Sequence, residues 1–280
     1  MSTATVQVRP VPEKNLRPAT ARGWGAGLAN LLGQELAAGF RLRPLLSQTL
    51  LWVGISAGIT LMFLLAPTEG MPVAEKALVA LQVFAAMLGM ASGVGATIAG
   101  QGAVLDERIS GTAAWILSKP ASRAAFIWSK LIGRSAALLV TATVFPAAAL
   151  VVCLAATGMP LPAFANLAAG AALVALHWLF FLTLAILLGS ILSKRGAVIG
   201  LPLGLLFVQS MVAQLKPALA PYLPGALAVL PPVAGPNALP LAAQAITGQA
   251  LATFTPVIVT GVLIVAFVAA TLWWFNRQEL

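Results

Sequence analysis

The placement of charge constrains this chain more than any other feature. Residues 44–68, 77–105, 135–193, 196–215 and 217–276 contain no Asp, Glu, Lys or Arg. A helix needs roughly 20 apolar residues to cross the hydrocarbon core of a bilayer. The first, second and fourth runs each hold one crossing. The third is long enough for two, and Gly158-Met159-Pro160-Leu161-Pro162 supplies the turn between them. In the fifth, seven prolines fall between 217 and 240. Each removes a backbone donor and obstructs a helix, so a span fits only toward the end of that run. These runs predict an all-α membrane protein with six transmembrane helices, at about 45–66, 77–103, 131–156, 167–191, 197–215 and 254–275. Composition agrees: 60% of residues are hydrophobic and 8% charged, against about 25% charged in ordinary soluble domains.

Orientation follows from Lys and Arg, which gather on the cytoplasmic side of membrane proteins. With a cytoplasmic N-terminus, fourteen of the sixteen fall inside, and only Lys76 and Lys216 fall outside. Both termini are therefore expected in the cytoplasm, and the net charge of +9 is mainly a topology signal. A nucleic-acid-binding reading fails, because no soluble domain is available to carry a basic patch. The first 44 residues lack the apolar stretch of a signal peptide, so no cleavage is expected.

Residues 1–22 mix Pro, Arg, Thr and Ala without periodicity and read as a disordered cytoplasmic tail. After them Trp24, Leu28, Leu31, Leu32, Leu36 and Phe40 recur at helical spacing. That pattern fits either a helix lying in the membrane interface or a cytoplasmic extension of the first span. In the second span Gly89, Gly93, Ala96 and Gly100 present small residues that let helix backbones approach; they do not identify a dimer interface. Pro146 and Pro202 lie inside spans and should kink them. Segment 217–253 reads as a lid of short external helices, apolar enough in parts to dip into the bilayer. Non-helical backbone at that depth must be buried in protein or line a wet cavity.

Catalytic chemistry is hard to find. There is no Gly-Lys dipeptide, so a Walker A loop is excluded. One histidine and one cysteine cannot build a structural zinc site. All seven acids lie in the tail, loops or interface, whereas proton- or sodium-driven carriers usually keep ionisable groups near the midplane. Cys153 reads as a small packing residue. His177, in the fourth span, either handles protons or substrate, or bonds to a neighbouring helix or buried water.

The densest charge is in "DERISGTAAWILSKPASR", residues 106–123, between spans two and three. Ile109, Ala113 and Ile116 share one helical face, with Thr112 as a plausible N-cap. Gly111 leaves backbone open to close approach, Pro120 ends the element, and Ser122 can cap the next helix. Arg123, Lys130 and Arg134 then fall within about 40° of one another on a helix. Taken alone, that cationic stripe would suit contact with anionic lipid head groups.

Here the chain resembles a known family, the ABC type-2 transporter permeases. The resemblance rests on Glu107-Arg108-Ile109-Ser110-Gly111-Thr112, then Leu117-Ser118-Lys119-Pro120-Ala121-Ser122-Arg123 and Lys130. Ser129 stands where the family often has Gly before the Lys. After the tail over 1–22, the resemblance implies an ABC type-2 transmembrane domain over 23–280, with an N-terminal interfacial helix. It implies that residues 106–118 form a cytoplasmic coupling helix seated in a groove of a separate ABC ATPase, with short external helices before the last span. Asp106, Glu107, Arg108, Gly111, Thr112, Pro120, Ser122, Arg123 and Lys130 would couple to that partner. Docking would fall to Glu107, Arg108, Gly111 and Thr112, and fixing of the loop against span three to Arg123 and Lys130. The chain would then be a non-enzymatic subunit of an exporter in the cell inner membrane. It would pair with a second permease copy or paralogue, with ATP and Mg bound by the ATPase and no cofactor of its own. The competing expectation is a non-transporting membrane anchor or assembly subunit.

Overall fold

Among the described residues, six helices long and apolar enough to cross a bilayer make up the body: Leu42–Leu65, Val73–Ile109, Arg123–Ala156, Phe164–Ile191, Arg195–Leu215 and Thr255–Arg277, here spans one to six. They come from a computed structural model that describes residues 23–235 and 238–278. The tail expected over 1–22 lies outside the described residues. Among these there is no strand.

All six expected spans are present, and several helices overrun their apolar runs. Span two continues to Ile109 and span three begins at Arg123. Hydropathy marks the stretch suited to hydrocarbon, whereas the intrahelical hydrogen-bond ladder can continue into water. The element expected over 106–118 is split as a result. Asp106, Glu107 and Arg108 form the last turn of span two, and a separate helix occupies Thr112–Leu117. Gly111, with φ of +74°, makes the break and occupies the N-cap position expected for Thr112. A left-handed φ suits glycine because no Cβ meets the neighbouring carbonyl.

The N-terminal helix Leu28–Gly39 is separate from span one, since Arg41 is extended with ψ of 141°. It packs along the start of span three, where an added Cβ on Gly133 would stand 2.6 Å from that of Glu35. Immediately before Pro146 the helix passes through a π turn over Val140–Val144, a local widening that accommodates the ladder bond the proline cannot make. Pro202 sits within an unbroken helix.

The small residues of span two act inside the chain. A Cβ on Gly100 would come 2.9 Å from that of Ala185 in span four, and one on Gly93 would come 3.2 Å from His177 Nε2. Gly89 faces the backbone of Ala228, from the proline-rich segment. That segment is more than a lid. It forms the short helices Pro217–Tyr222, Pro224–Leu227 and Leu241–Ile246, and residues 224–228 and 241–246 are buried between spans. His177 Nδ1 donates to the Pro224 carbonyl at 3.2 Å, and Gly225 N donates to Gln209 Oε1 at 2.6 Å. His177 lies near the middle of span four, about 20 Å from either end at 1.5 Å per residue. The segment therefore re-enters deeply, with its backbone satisfied by its own short turns and by the side chains of His177 and Gln209 rather than by lipid. His177 serves as a bond to a neighbouring element, one of the two roles its sequence allowed.

Candidate functional site

One end of the bundle gathers Arg108, Arg123, Lys130, Arg134 and Arg195, together with Glu35, Asp106 and Glu107. Their contacts are organised around the loop joining spans two and three. Lys130 is the most enclosed, with its side chain 6% exposed. Its Nζ bonds Glu35 at 2.5 Å and also pairs with Glu107, while Arg134 Nε lies 3.7 Å from the second Glu35 oxygen. Two carboxylates and two cations thus tie the N-terminal helix, span two and span three together. Lys130 Nζ also lies 5.3 Å from the centre of the Phe126 ring, which stacks on Phe275 of span six.

The neighbouring charges secure helix ends. Arg108 donates to the carbonyls of Gly189 at 2.9 Å and Leu192 at 3.2 Å, at the end of span four. Arg123 donates to the carbonyls of Phe275, Asn276 and Gln278 at 3.0, 2.8 and 2.7 Å, at the end of span six. A guanidinium suits both places because the last carbonyls of a helix have no intrahelical donor and carry partial negative charge. Asp106 pairs with Arg195 at the start of span five, on the surface. Ser122 caps span three as its sequence indicated, accepting from Ala125 N at 2.9 Å. Its hydroxyl also donates to the Trp24 carbonyl, and its own N–H reaches the Ala26 carbonyl at 2.9 Å. Pro120 is exposed beyond the short helix, against Gly27.

This geometry corrects two expectations. Arg123 and Lys130 are not a stripe facing lipid head groups, because helix ends and carboxylates from elsewhere in the chain take up their charge. Nor do Ile109, Ala113 and Ile116, read as one helical face of an element that would seat in a partner's groove, stay together on one exposed face. Ala113 is fully buried and Ile116 half-buried against the core. Ile109, on the preceding helix, is 66% exposed. The exposed apolar group of the short helix is instead Trp115, at 65%. Lys119 Nζ stands 5.3 Å from the Trp115 ring centre, and Ser118 Oγ donates to the Trp115 carbonyl at 2.7 Å. Ser110 and Thr112 hydroxyls bond each other at 2.9 Å beside the open Gly111 backbone.

The result is an exposed tip of Ile109, Gly111, Thr112 and Trp115, standing on side chains that hold the ends of spans four and six. Asp106, Glu107, Arg108, Ser122, Arg123 and Lys130 are brought together behind the tip, and Gly111, Thr112 and Pro120 lie on it. Glu35 and Trp115 were missed in the sequence. Trp115 is the one aromatic residue in 106–123, which was its available signal. Glu35 lies 95 positions from Lys130 and carried none. Among the described residues no group of His, Cys, Asp or Glu is arranged to hold a metal.

Comparison with known families matches residues 29–280 to the one described as ABC-2 family transporter protein. No curated protein matches the chain significantly.

Proposed function

The chain belongs to the ABC-2 family of transporter proteins and is a multi-pass membrane permease subunit, and we propose that it serves an ATP-driven exporter whose ATP and Mg are bound by a separate ATPase. The ATPase docks on the tip of Ile109, Gly111, Thr112 and Trp115. The charged end and both termini face the cytoplasm, where fourteen of sixteen basic residues are expected. A second permease copy or paralogue completes the membrane unit.

The observation that carries this reading is the pair of large apolar side chains, Ile109 and Trp115, exposed at 66% and 65% beside an open glycine backbone. Exposed tryptophan clustered with open backbone is the composition of an interface anchor. Closure of the ATPases displaces the tip. Glu107 passes that displacement through Lys130 to Glu35 and the N-terminal helix. Arg108 passes it to span four, and Arg123 joins the start of span three to the end of span six. In this arrangement Glu107 and Arg108 contribute to docking by fixing the tip, not by reaching into the partner.

The test is retention of the cognate ATPase by purified permease. Ile109→Ser and Trp115→Ser are expected to weaken it about tenfold or more, as for interface anchors, with melting unchanged because neither side chain is enclosed. ATPase bound by both variants as tightly as by the native chain would overturn the docking site.

A further inference from the structure

Between spans one, two and three, on the charged half of the bundle, lies a cavity of about 330 Å³. That is at the lower end of the range for small-molecule sites, about 300–1,000 Å³. Its lining changes character along its length. Asp106, Arg134, Gln101 and Gln48 line the part nearest the charged end, and Trp52 and Ile98 the deeper part. From Gly95 to Asp106 along span two the cavity wall rises about 16 Å, comparable to one leaflet of hydrocarbon, about half of a ≈ 30 Å core.

The polar lining is unusually unsatisfied. Trp52 is 7% exposed, yet its indole N–H has no acceptor, and Gln101 Oε1 and Arg134 Nε are also buried without a hydrogen bond. Among the described residues Arg134 touches protein charge only through the 3.7 Å approach to Glu35. Its guanidinium fork makes no hydrogen bond among the described residues, although it is the side chain best shaped to hold a phosphate. Asp106 spends one carboxylate oxygen on Arg195, and the other lies over Gly102, where any Cβ would displace it. Ile98, 55% exposed, forms the apolar rim, so the mouth of the cavity opens toward acyl chains.

We propose that this cavity binds one zwitterionic aminophospholipid of the inner leaflet. Arg134 takes the phosphate, Asp106 the ammonium, and Gln48 and Gln101 the remaining head-group polar atoms, while an acyl chain passes over Trp52 and Ile98. The choice of a zwitterion follows from the charges. The lining holds one cation and one anion, and the adjoining Glu35, Glu107, Lys130 and Arg195 balance one another, two of each sign. An anionic lipid would satisfy Arg134 and meet Asp106 unfavourably. The site stands apart from the tip and does not depend on an ATPase partner.

The test uses the full chain, delipidated in detergent and titrated by native mass spectrometry with short-chain phosphatidylethanolamine, phosphatidylglycerol, and glycerophosphoethanolamine lacking acyl chains. One equivalent of phosphatidylethanolamine is expected to bind saturably, with phosphatidylglycerol about tenfold weaker, as befits one charge-assisted contact. The acyl-free head group should not compete at matched concentration. Ala99→Phe fills the cavity and Gln48→Leu removes a polar contact without touching the ion network, so each should weaken binding. Arg134→Gln should do so most and abolish the preference between the two lipids. The proposal is overturned by equal affinity for the two lipids, by full competition from the acyl-free head group, or by native affinity in Gln48→Leu together with any folded Ala99→Phe.

Discussion

Replacing Lys130 with methionine tests whether the ion cluster behind the tip holds the charged end together. The three side chains are 6%, 14% and 23% exposed for Lys130, Glu35 and Glu107, so solvent can screen them only in part. Both carboxylates reach the same Nζ, which places their oxygens within roughly 5 Å of each other. With the ammonium gone, two like charges at that distance repel by about 3 kcal/mol at an effective dielectric constant near 20. The same size follows from experience with buried pairs broken on one side, about 3–5 kcal/mol. Arg134 still faces Glu35 and Glu107 is a quarter open to water, so the lower end applies. Lys130→Met should therefore destabilise the chain by about 2–3 kcal/mol.

The control is the neutral triple variant Glu35→Gln, Glu107→Gln, Lys130→Met. Methionine matches the stem volume of lysine, and removing all three charges removes both the repulsion and the desolvation cost. Exchange of whole buried ion groups for neutral side chains is often close to neutral in stability. Denaturant titration in nanodiscs, followed by tryptophan fluorescence, should show a large loss for the single variant and recovery of most of it in the triple. A Lys130→Met protein as stable as the native chain would refute the reasoning. So would a triple variant no better than the single, since the deficit would then come from lost packing against Phe126 rather than from charge.

Other side chains give sharper local tests. Arg123→Ala strips three carbonyls at the end of span six of a charged donor, and should cost about 1.5–3 kcal/mol, read as early hydrogen exchange at residues 275–277. Gly111→Ala forces a Cβ into φ of +74° and should cost about 1 kcal/mol in melting, while Gly111→Asn should cost less because asparagine tolerates that region. His177→Phe removes the bond to Pro224 and should raise labelling of a cysteine placed at Ala226, with Gln209→Leu, which releases Gly225, acting in the same direction. Gly89→Val drives a side chain into the backbone at Ala228 and should lower folded yield, whereas Gly204→Val, which meets nothing, should not.

What could be read in the sequence was set by physics that acts locally. Spans are legible because crossing hydrocarbon imposes a length on an apolar run, whereas the proline-rich segment read as an external lid, because local composition does not say how deeply irregular backbone is drawn between helices. Ser122 was legible because an N-cap acts within three residues. The inner economy of the charged end was not. A lysine near a helix end looks the same whether water or a glutamate 95 positions away surrounds it, so Glu35 gave no signal, and lipid contact stayed open for Lys130 beside its expected role in fixing the loop. The loop misled in the opposite sense as well. Helical periodicity marks the apolar face of Ala113 and Ile116, but it cannot say whether that face meets a partner or the chain's own core. Here it is the core, and the apolar residue off that face, Trp115, is the one left exposed.

The contacts also differ in what they can transmit under the proposed coupling. The Asp106–Arg195 pair reaches span five, but its members are 47% and 58% exposed, and surface pairs of that kind are worth about 0–1 kcal/mol. Arg108 is stronger, with two hydrogen bonds into the end of span four. From Gly189 back to His177 the helix is continuous, a rigid length of about 18 Å. His177 there holds the Pro224 carbonyl of the re-entrant segment. Span four thus joins the tip at one end to the buried segment from the other through hydrogen bonds at both points, while the link to span five ends in a screened pair. Under the proposed coupling, a displacement of the tip would therefore reach the re-entrant segment chiefly along span four. Gln209 of span five then gives the Gly225 amide a second, fixed anchor, against which that movement can shear the segment.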